Sequence, residues 1–440
     1  MPPFFMPRGK ITVRETLRIS FKDGVFASIM SGVTEQYFTP FALALGATAQ
    51  QIGLVSGFPQ LFGSLAQLFS VQAVHRIGGR LKLLVGLVTA QATFLVLIAL
   101  LAWTGAAQPV ALFLVLLVLF VSAGSLAGPA WGSLMTEYIP KQKRGRYFGW
   151  RNRVVGLVHV ASMILAGVLL YRVSSVSALL GFAIIFSAGA LGRFISAGYI
   201  ARMRDVPQRH DPAADFTFYR FIVRFRHSNF VKFVAFTAMM SLATYLSAPF
   251  FAVFMLRDLG FSYFTYMVLQ VLATLAGLVA LPMWGTHADA VGNARVLRLS
   301  GFFACTIPLL WLASRNVVYL ACVQMLSGFA WSGFTLAASN FIYDAVTPSK
   351  RVRCISYFNM LNGIAIFSGA SLGGFLATKL PPIQGHSLLT LFMLSGLCRL
   401  TVYFALFNRF REVRASREVS IRELFFSVVG IRPLVGMSQD

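Results

Sequence analysis

Apolar blocks, most of them longer than the ~18 residues a helix needs to cross the hydrocarbon core of a bilayer, fill almost the whole chain. They alternate with short polar, glycine-rich or basic loops. The pattern predicts helices over residues 23–46, 49–74, 81–104, 108–137, 147–171 and 177–203, and again over 229–257, 262–284, 295–314, 316–343, 353–379 and 387–409. A polar link, 204–228, separates the two sets of six and carries Pro207 and Pro212. Residues 1–22 and 410–440 flank the sets as an N-terminal segment and a tail, with Ser420–Val429 patterned as a short amphipathic helix. No small-residue cleavage site follows a short apolar core near the start, so the first block reads as a span and not as a signal peptide. The expectation is an all-α polytopic membrane protein with twelve transmembrane helices in two six-helix bundles, 23–203 and 229–409.

Composition sharpens this reading. The chain is 57% hydrophobic and only 12% charged, about half the charge of a soluble domain, which excludes an ordinary soluble enzyme. A net charge of +24 in a soluble protein would point to nucleic acid, but here the placement of the charge argues for topology. Of 38 lysines and arginines, only Arg172, Arg257, Arg315 and Lys379 fall on one face, and Arg193 and Arg399 lie within spans. All the others gather on the opposite face, which the positive-inside rule makes cytoplasmic. Both termini are therefore expected in the cytoplasm of a cell inner membrane, with no nucleic-acid partner and with membrane lipids as neighbours. Cys305, Cys322, Cys354 and Cys398 lack metal-ligand spacing.

The two halves repeat each other. Thr39-Pro40-Phe41 recurs as Ala248-Pro249-Phe250, and Leu45-Gly46 as Leu259-Gly260. The loop with Arg76, Gly78 and Arg80 recurs around Asp289, Gly292 and Arg295. Glu137, Arg144, Arg146, Asn152 and Gly156 reappear at one constant offset as Asp344, Arg351, Arg353, Asn359 and Gly363, and Arg193 has Arg399 one residue short of that offset. Internal repeats of this kind are a signature of transporter folds.

Six plus six helices, a basic central link and Gly/Arg loops after the second and eighth helices resemble the major facilitator superfamily. That family's loop pattern is G-x-x-x-D-R-x-G-R-R. The first copy here, Val71 to Arg80, departs at Val71, His75 and Gly79, while the second, Gly285 to Arg295, keeps Gly285 and Asp289. The stretch Arg144 to Asn152 is similar to a segment of bacterial members of uncertain substrate, and the G-P-x-x-G-G signature of many drug/proton antiporters is absent from helix five. The resemblance implies alternating access between two bundles around a central cavity lined in part by the first helix of each half.

Among 14 acidic residues, Glu35 falls near the middle of a predicted span, where a charge is costly and therefore functional or paired. It is a candidate proton-coupling carboxylate or cation ligand, with its repeat counterpart Thr244 uncharged and Gln36 beside it. His159 in helix five is a candidate partner. Gln60 and Gln67 in helix two, Tyr266 and Gln270 in helix eight, and Trp131 and Trp331 in helices four and ten are candidate cavity residues, the alternative being helix packing. Arg193 and Arg399 read as structural, snorkelling towards the inner interface and pairing with acids there. Arg76, Arg80, Glu137, Arg144, Asp289, Arg295, Asp344 and Arg351 form a candidate cytoplasmic gate.

No phosphate-binding P-loop, paired-histidine or G-x-S-x-G pattern occurs, so neither ATP hydrolysis nor another enzymatic activity is expected, and no cofactor or metal. The reading is a monomeric secondary active transporter of a small solute, coupled to protons, with export the favoured direction. An energy-independent facilitator, a sensor or scaffold of the same fold and a membrane-embedded lipid enzyme are the alternatives. Cysteine labelling at Ala106, Ser175 and Lys379 is expected to place all three loops outside; finding any of them in the cytoplasm overturns the twelve-span topology.

Overall fold

A computed structural model describes residues 13–103, 109–139, 141–205, 228–413, 423–424 and 427. The loop containing Ala106, the link over 206–227 and most of the tail lie outside the described residues. The rest is helix and short connections, with no strand among the described residues. In chain order the helices are α1 (Val13–Thr34), α2 (Phe38–Ala44), α3 (Ala49–Leu68), α4 (Ser70–Ile77), α5 (Arg80–Leu101), α6 (Pro109–Tyr138), α7 (Lys141–Ser174) and α8 (Ala178–Ala201). Then follow α9 (Asn229–Tyr245), α10 (Ala248–Val253), α11 (Tyr263–Val291), α12 (Asn293–Leu310), α13 (Val317–Ala345), α14 (Pro348–Leu376) and α15 (Ser387–Leu406). Among the described residues eight spans are long and apolar enough to cross a membrane unaided, counting α9, α10 and the π turn after them as one, and the bent pair α3–α4 makes a ninth. The segments α1–α2, α12 and α14 stand at the places of the other three expected spans but are less apolar or shorter than these nine.

The described helices begin or end beyond the hydropathy pattern in several places. α1 starts at Val13 and not at residue 23, α7 at Lys141 and not at 147, and α11 runs on to Val291. Hydropathy marks the part of a helix that lies in hydrocarbon, whereas backbone hydrogen bonding carries the helix on into water. For α1 the difference matters, because Asp23 moves from a helix end to its interior.

The repeat is visible in the breaks. Proline lacks an N–H, and its ring clashes with the carbonyl four residues back; for Pro40 that residue is Gln36, and for Pro249 it is Tyr245. The first helix accordingly breaks into a 3₁₀ turn over Glu35–Tyr37, and the seventh breaks between Tyr245 and Ala248. Gly78 (φ 75°) ends α4 and Gly292 (φ 91°) ends α11, in the left-handed region that favours glycine.

The chain divides into two compact units, one formed by Met1–Leu45 with Phe62–His210, the other by Gly46–Leu61 with Asp211–Asp440. Within the first, α1 packs on α7 and α8, and α5 on α6 and α8. Within the second, α9 packs on α14 and α15, and α12 on α13 and α15, so the same helix pairings occur twice. The first half of α3 belongs to the second unit, where Gly53 and Gly57, one turn apart, lie against the Ala370 and Phe367 backbone of α14. Small residues at this spacing let helix backbones approach closely, which substitutes for the hydrophobic drive that lipid cannot supply.

α11 and α13 make the tightest such contact, with Gly328 pressed against the Ala273 backbone and Gly277 against the Gly328 carbonyl. A Cβ at Gly328 meets main chain, which does not yield. Gly328→Val is expected to cost about 1–3 kcal/mol of overpacking strain in a thermal unfolding assay in detergent. Gly86→Ala, at a position open on all sides, is expected to leave the midpoint unchanged or higher.

Candidate functional site

In the first unit the buried polar groups converge on α1, α5, α7 and α8. Thr16, Ser20 and Asp23 lie on one face of α1 at i, i+4, i+7 spacing, and all three are buried. The Ser196 hydroxyl on α8 donates to Asp23 Oδ1 at 2.7 Å. Arg193, one turn earlier on α8, donates to Ser196 Oγ at 3.2 Å and from Nε to Gln91 Oε1 at 3.0 Å. Gln91 on α5 passes the chain on by donating to the Phe120 carbonyl of α6 at 3.0 Å. From α7, Arg151 lays its guanidinium over the Trp131 ring at 4.7 Å and donates to the Ser20 carbonyl at 3.4 Å. Gly24 makes room for it, because a Cβ there would collide with the Arg151 guanidinium. Both arginines are within Coulombic reach of Asp23, and Arg193 is within reach of Glu35 as well.

Glu35 opens the 3₁₀ turn that Pro40 imposes, and its side chain is exposed although Val33, Thr34 and Tyr37 around it are buried. Gln36 beside it is half-buried. His159 hydrogen-bonds through Nδ1 with the Ser31 hydroxyl at 2.9 Å, one helical turn before Glu35 on α1. Tyr37 fixes the same turn to α7 by donating to the Met163 carbonyl at 2.7 Å. Arg193 is the basic group near Glu35.

In the second unit a cavity of about 470 Å³ opens among α9, α10, α13 and α14. Its polar lining is neutral: Ser241 donates to Asn362 Oδ1 at 2.9 Å, Asn362 in turn donates to the Phe358 carbonyl at 3.0 Å, and Thr237, Thr335 and Ser339 complete it. Thr244 also lines the cavity, and its buried hydroxyl has no hydrogen-bond partner. Trp331, Phe334, Phe358 and Tyr245 form the aromatic walls. Behind Thr244 lies Arg399, 1% exposed. It does not reach an interface; it donates to the carbonyls of Ala304 at 2.8 Å and Thr244 at 3.3 Å and to Ser247 Oγ at 3.0 Å.

The remaining predicted residues fall elsewhere. Tyr266 is buried, accepts from Gln270 at 3.2 Å, and Gln270 accepts from Gln324 at 2.8 Å, so this polar ladder ties α11 to α13 inside the bundle. Gln60 is exposed and Gln67 half-buried on α3. Trp131 serves Arg151, while Trp331 lines the cavity of the other unit.

Of the candidate gate, Arg80 and Glu137 form a two-pronged ion pair at 2.8 and 2.7 Å that joins the ends of α5 and α6 within one unit. Asp205 caps α5 by accepting from the Leu81 N–H at 3.3 Å. The second unit repeats the arrangement with different chemistry: Asp344 accepts from Asn293 at 2.7 Å, and Glu412 caps α12 through the Ala294 N–H at 2.7 Å. Arg351 donates to the Tyr343 carbonyl and Arg295 to the Val291 carbonyl. Arg76 and Asp289 are exposed, and the Arg144 side chain lies outside the described residues.

Sequence reading missed Asp23, Ser196, Gln91 and Arg151 because the hydropathy edge was set at Asp23 itself; the Thr16, Ser20, Asp23 stripe was the available signal. Ser241 lies in a similar stripe with Thr237 and Thr244, and Asn362 follows Asn359 on its helix, so a polar face was available there too. Among the described residues no cluster of three or more His, Cys, Asp or Glu could hold a metal ion.

Apolar spans arranged as two repeated sets of paired helices, with polar networks buried inside the sets, define an integral membrane protein. The chain belongs to the major facilitator superfamily, whose family model matches residues 24–247 and 233–435. Among solved structures it is similar to a variant of the nucleoside transporter NupG (TM-score 0.71, 13% identity, covering 89% of this chain and 100% of that one). It is also similar to a D-xylose–proton symporter (0.68, 11%, 92% and 99%) and to a bacterial homologue of the human lysosomal transporter Spinster (0.65, 14%, 93% and 100%). At these identities the likeness is one of fold. No curated protein sequence matches the chain.

Hydrogen bonds to charged groups contribute about 1.5–3 kcal/mol each. Arg80→Gln and Glu137→Gln are each expected to lower unfolding stability by about that amount. The double variant is expected to lose clearly less than the sum, read from a double-mutant cycle of unfolding in detergent.

Proposed function

We propose that the chain is a proton-coupled secondary transporter that moves a small uncharged solute by alternating access, with export the favoured direction. Glu35 is the coupling carboxylate, and the observation that carries this is its place at the break in the first helix: accessible, amid buried neighbours, and within Coulombic reach of an arginine that also serves Asp23. Arg193 forms an ion pair with neither carboxylate, but its charge is felt by both. Protonating Glu35 removes one of the two negative charges in the field around the α8 guanidinium, and losing that proton restores it. A proton taken up at Glu35 is thereby converted into a change in the pull between α1 and α8, the kind of two-state bias that switching needs. His159 stands one turn away as a second group able to titrate.

The solute reading rests on the α9/α13/α14 cavity. Its hydroxyls and amide offer donors and acceptors without a formal charge, Thr244 supplies a free hydroxyl, and aromatic walls suit a flat or apolar face. A neutral molecule with a polar edge and a ring satisfies both sets of groups, whereas an ion would be desolvated against walls that carry no counter-charge.

Flux of mixed solutes into proteoliposomes, with and without an imposed pH gradient, tests both parts. An uncharged solute is expected to accumulate under the gradient. Glu35→Gln is expected to abolish that accumulation while solute exchange persists. Full uphill transport by the variant overturns the coupling role, and selection of a charged solute overturns the cavity reading.

A further inference from the structure

The first unit has a second recess, which shares Tyr147 with the surroundings of Asp23. A groove of about 660 Å³ opens between the starts of α1 and α7 and the end of α8. Its rim carries three cations, Arg18, Lys22 and Arg202, all exposed, and none forms a salt bridge among the described residues. Lys22 and Arg202 instead flank one ring, lying 5.7 and 5.8 Å from the centroid of Tyr199. The floor is apolar and aromatic, with Phe21 against Trp150 at 4.7 Å. It is a preformed surface, because Tyr147 ties α7 to α1 by donating to the Leu17 carbonyl at 3.1 Å.

The groove lies at the basic end of the bundle, where α1 enters its apolar run. Trp and Tyr concentrate at the headgroup level of a bilayer, and lysines and arginines beside a span attract anionic headgroups. Cations without a salt bridge among the described residues, over an apolar floor at that level, present a phosphate with its counter-charges and an acyl chain with its surface.

We propose that this groove binds an anionic phospholipid from the surrounding leaflet. The lipid phosphate sits among Arg18, Lys22 and Arg202, and the upper acyl chain lies along Phe21 and Trp150. A soluble anion would meet the cations but leave the aromatic floor bare, so the floor selects the lipid over free phosphate.

The test uses the full chain in bilayers containing brominated phosphatidylglycerol or brominated phosphatidylcholine, with tryptophan fluorescence as the readout. Stronger quenching by the anionic lipid is expected, and the part of the quenching that Trp150→Phe removes, which takes away the groove's own reporter but keeps a ring, is expected to carry that preference. Arg18→Gln, Lys22→Gln and Arg202→Gln are each expected to reduce the preference about fivefold, the factor one basic residue contributes at an anionic surface. Added inorganic phosphate is expected to leave the quenching unchanged. Equal quenching by the two lipids, a preference that survives all three single substitutions, or displacement by inorganic phosphate overturns the proposal. Single variants carry the test should a combined one fail to fold.

Discussion

The guanidinium of Arg193 has to be satisfied inside the first unit, because hydrocarbon offers it no partner, and most of that unit's polar architecture follows from this demand. A charge within the membrane costs about 2.5–3.5 kcal/mol even on the milder scales. Gln91 and Ser196 absorb its donors, Ser196 passes the connection to Asp23, and Gln91 extends it to α6. Four helices are thereby joined through side chains, while their remaining surfaces can be apolar and small. The accessible carboxylate of Glu35 lies within Coulombic reach of the same arginine.

The two units show what duplication preserves and what it frees. Geometry is preserved: proline-induced breaks at matching places, the same helix pairings, and an acid capping the third helix of each set (Asp205 and Glu412). Chemistry is freed. The latch that is an Arg80–Glu137 ion pair in one unit is an Asn293–Asp344 hydrogen bond in the other, and the position held by Glu35 is held by Thr244. The first unit buries Asp23 near two arginines, and the second holds a neutral, aromatic-walled cavity.

Helix existence, the twofold repeat and the family resemblance were legible because each depends on long-range patterns that apolar spans and repeated punctuation write plainly. Arg80 and Glu137 were legible as partners in type, since opposite charges at the ends of consecutive spans have few other places to go. Asp23 was not, because hydropathy measures where a helix meets lipid and not where its backbone starts. His159 illustrates another limit: its depth could be read, but its bond to Ser31 depends on the rotation of α7 against α1, which no spacing within either helix encodes. The neutral cavity shows the same limit, as the polar faces of Ser241 and Asn362 could be read but not that two helices set them 2.9 Å apart.

Arg399 bears on how the chain is made. Its guanidinium lies in α15, the last helix before the tail, and the groups it binds, the carbonyls of Thr244 and Ala304 and the hydroxyl of Ser247, all belong to segments synthesised earlier. A helix carrying a lone arginine enters lipid poorly on its own, and here every group that satisfies it lies earlier in the chain. The last helix therefore depends on α9, the break after it and α12 for the partners of its charge.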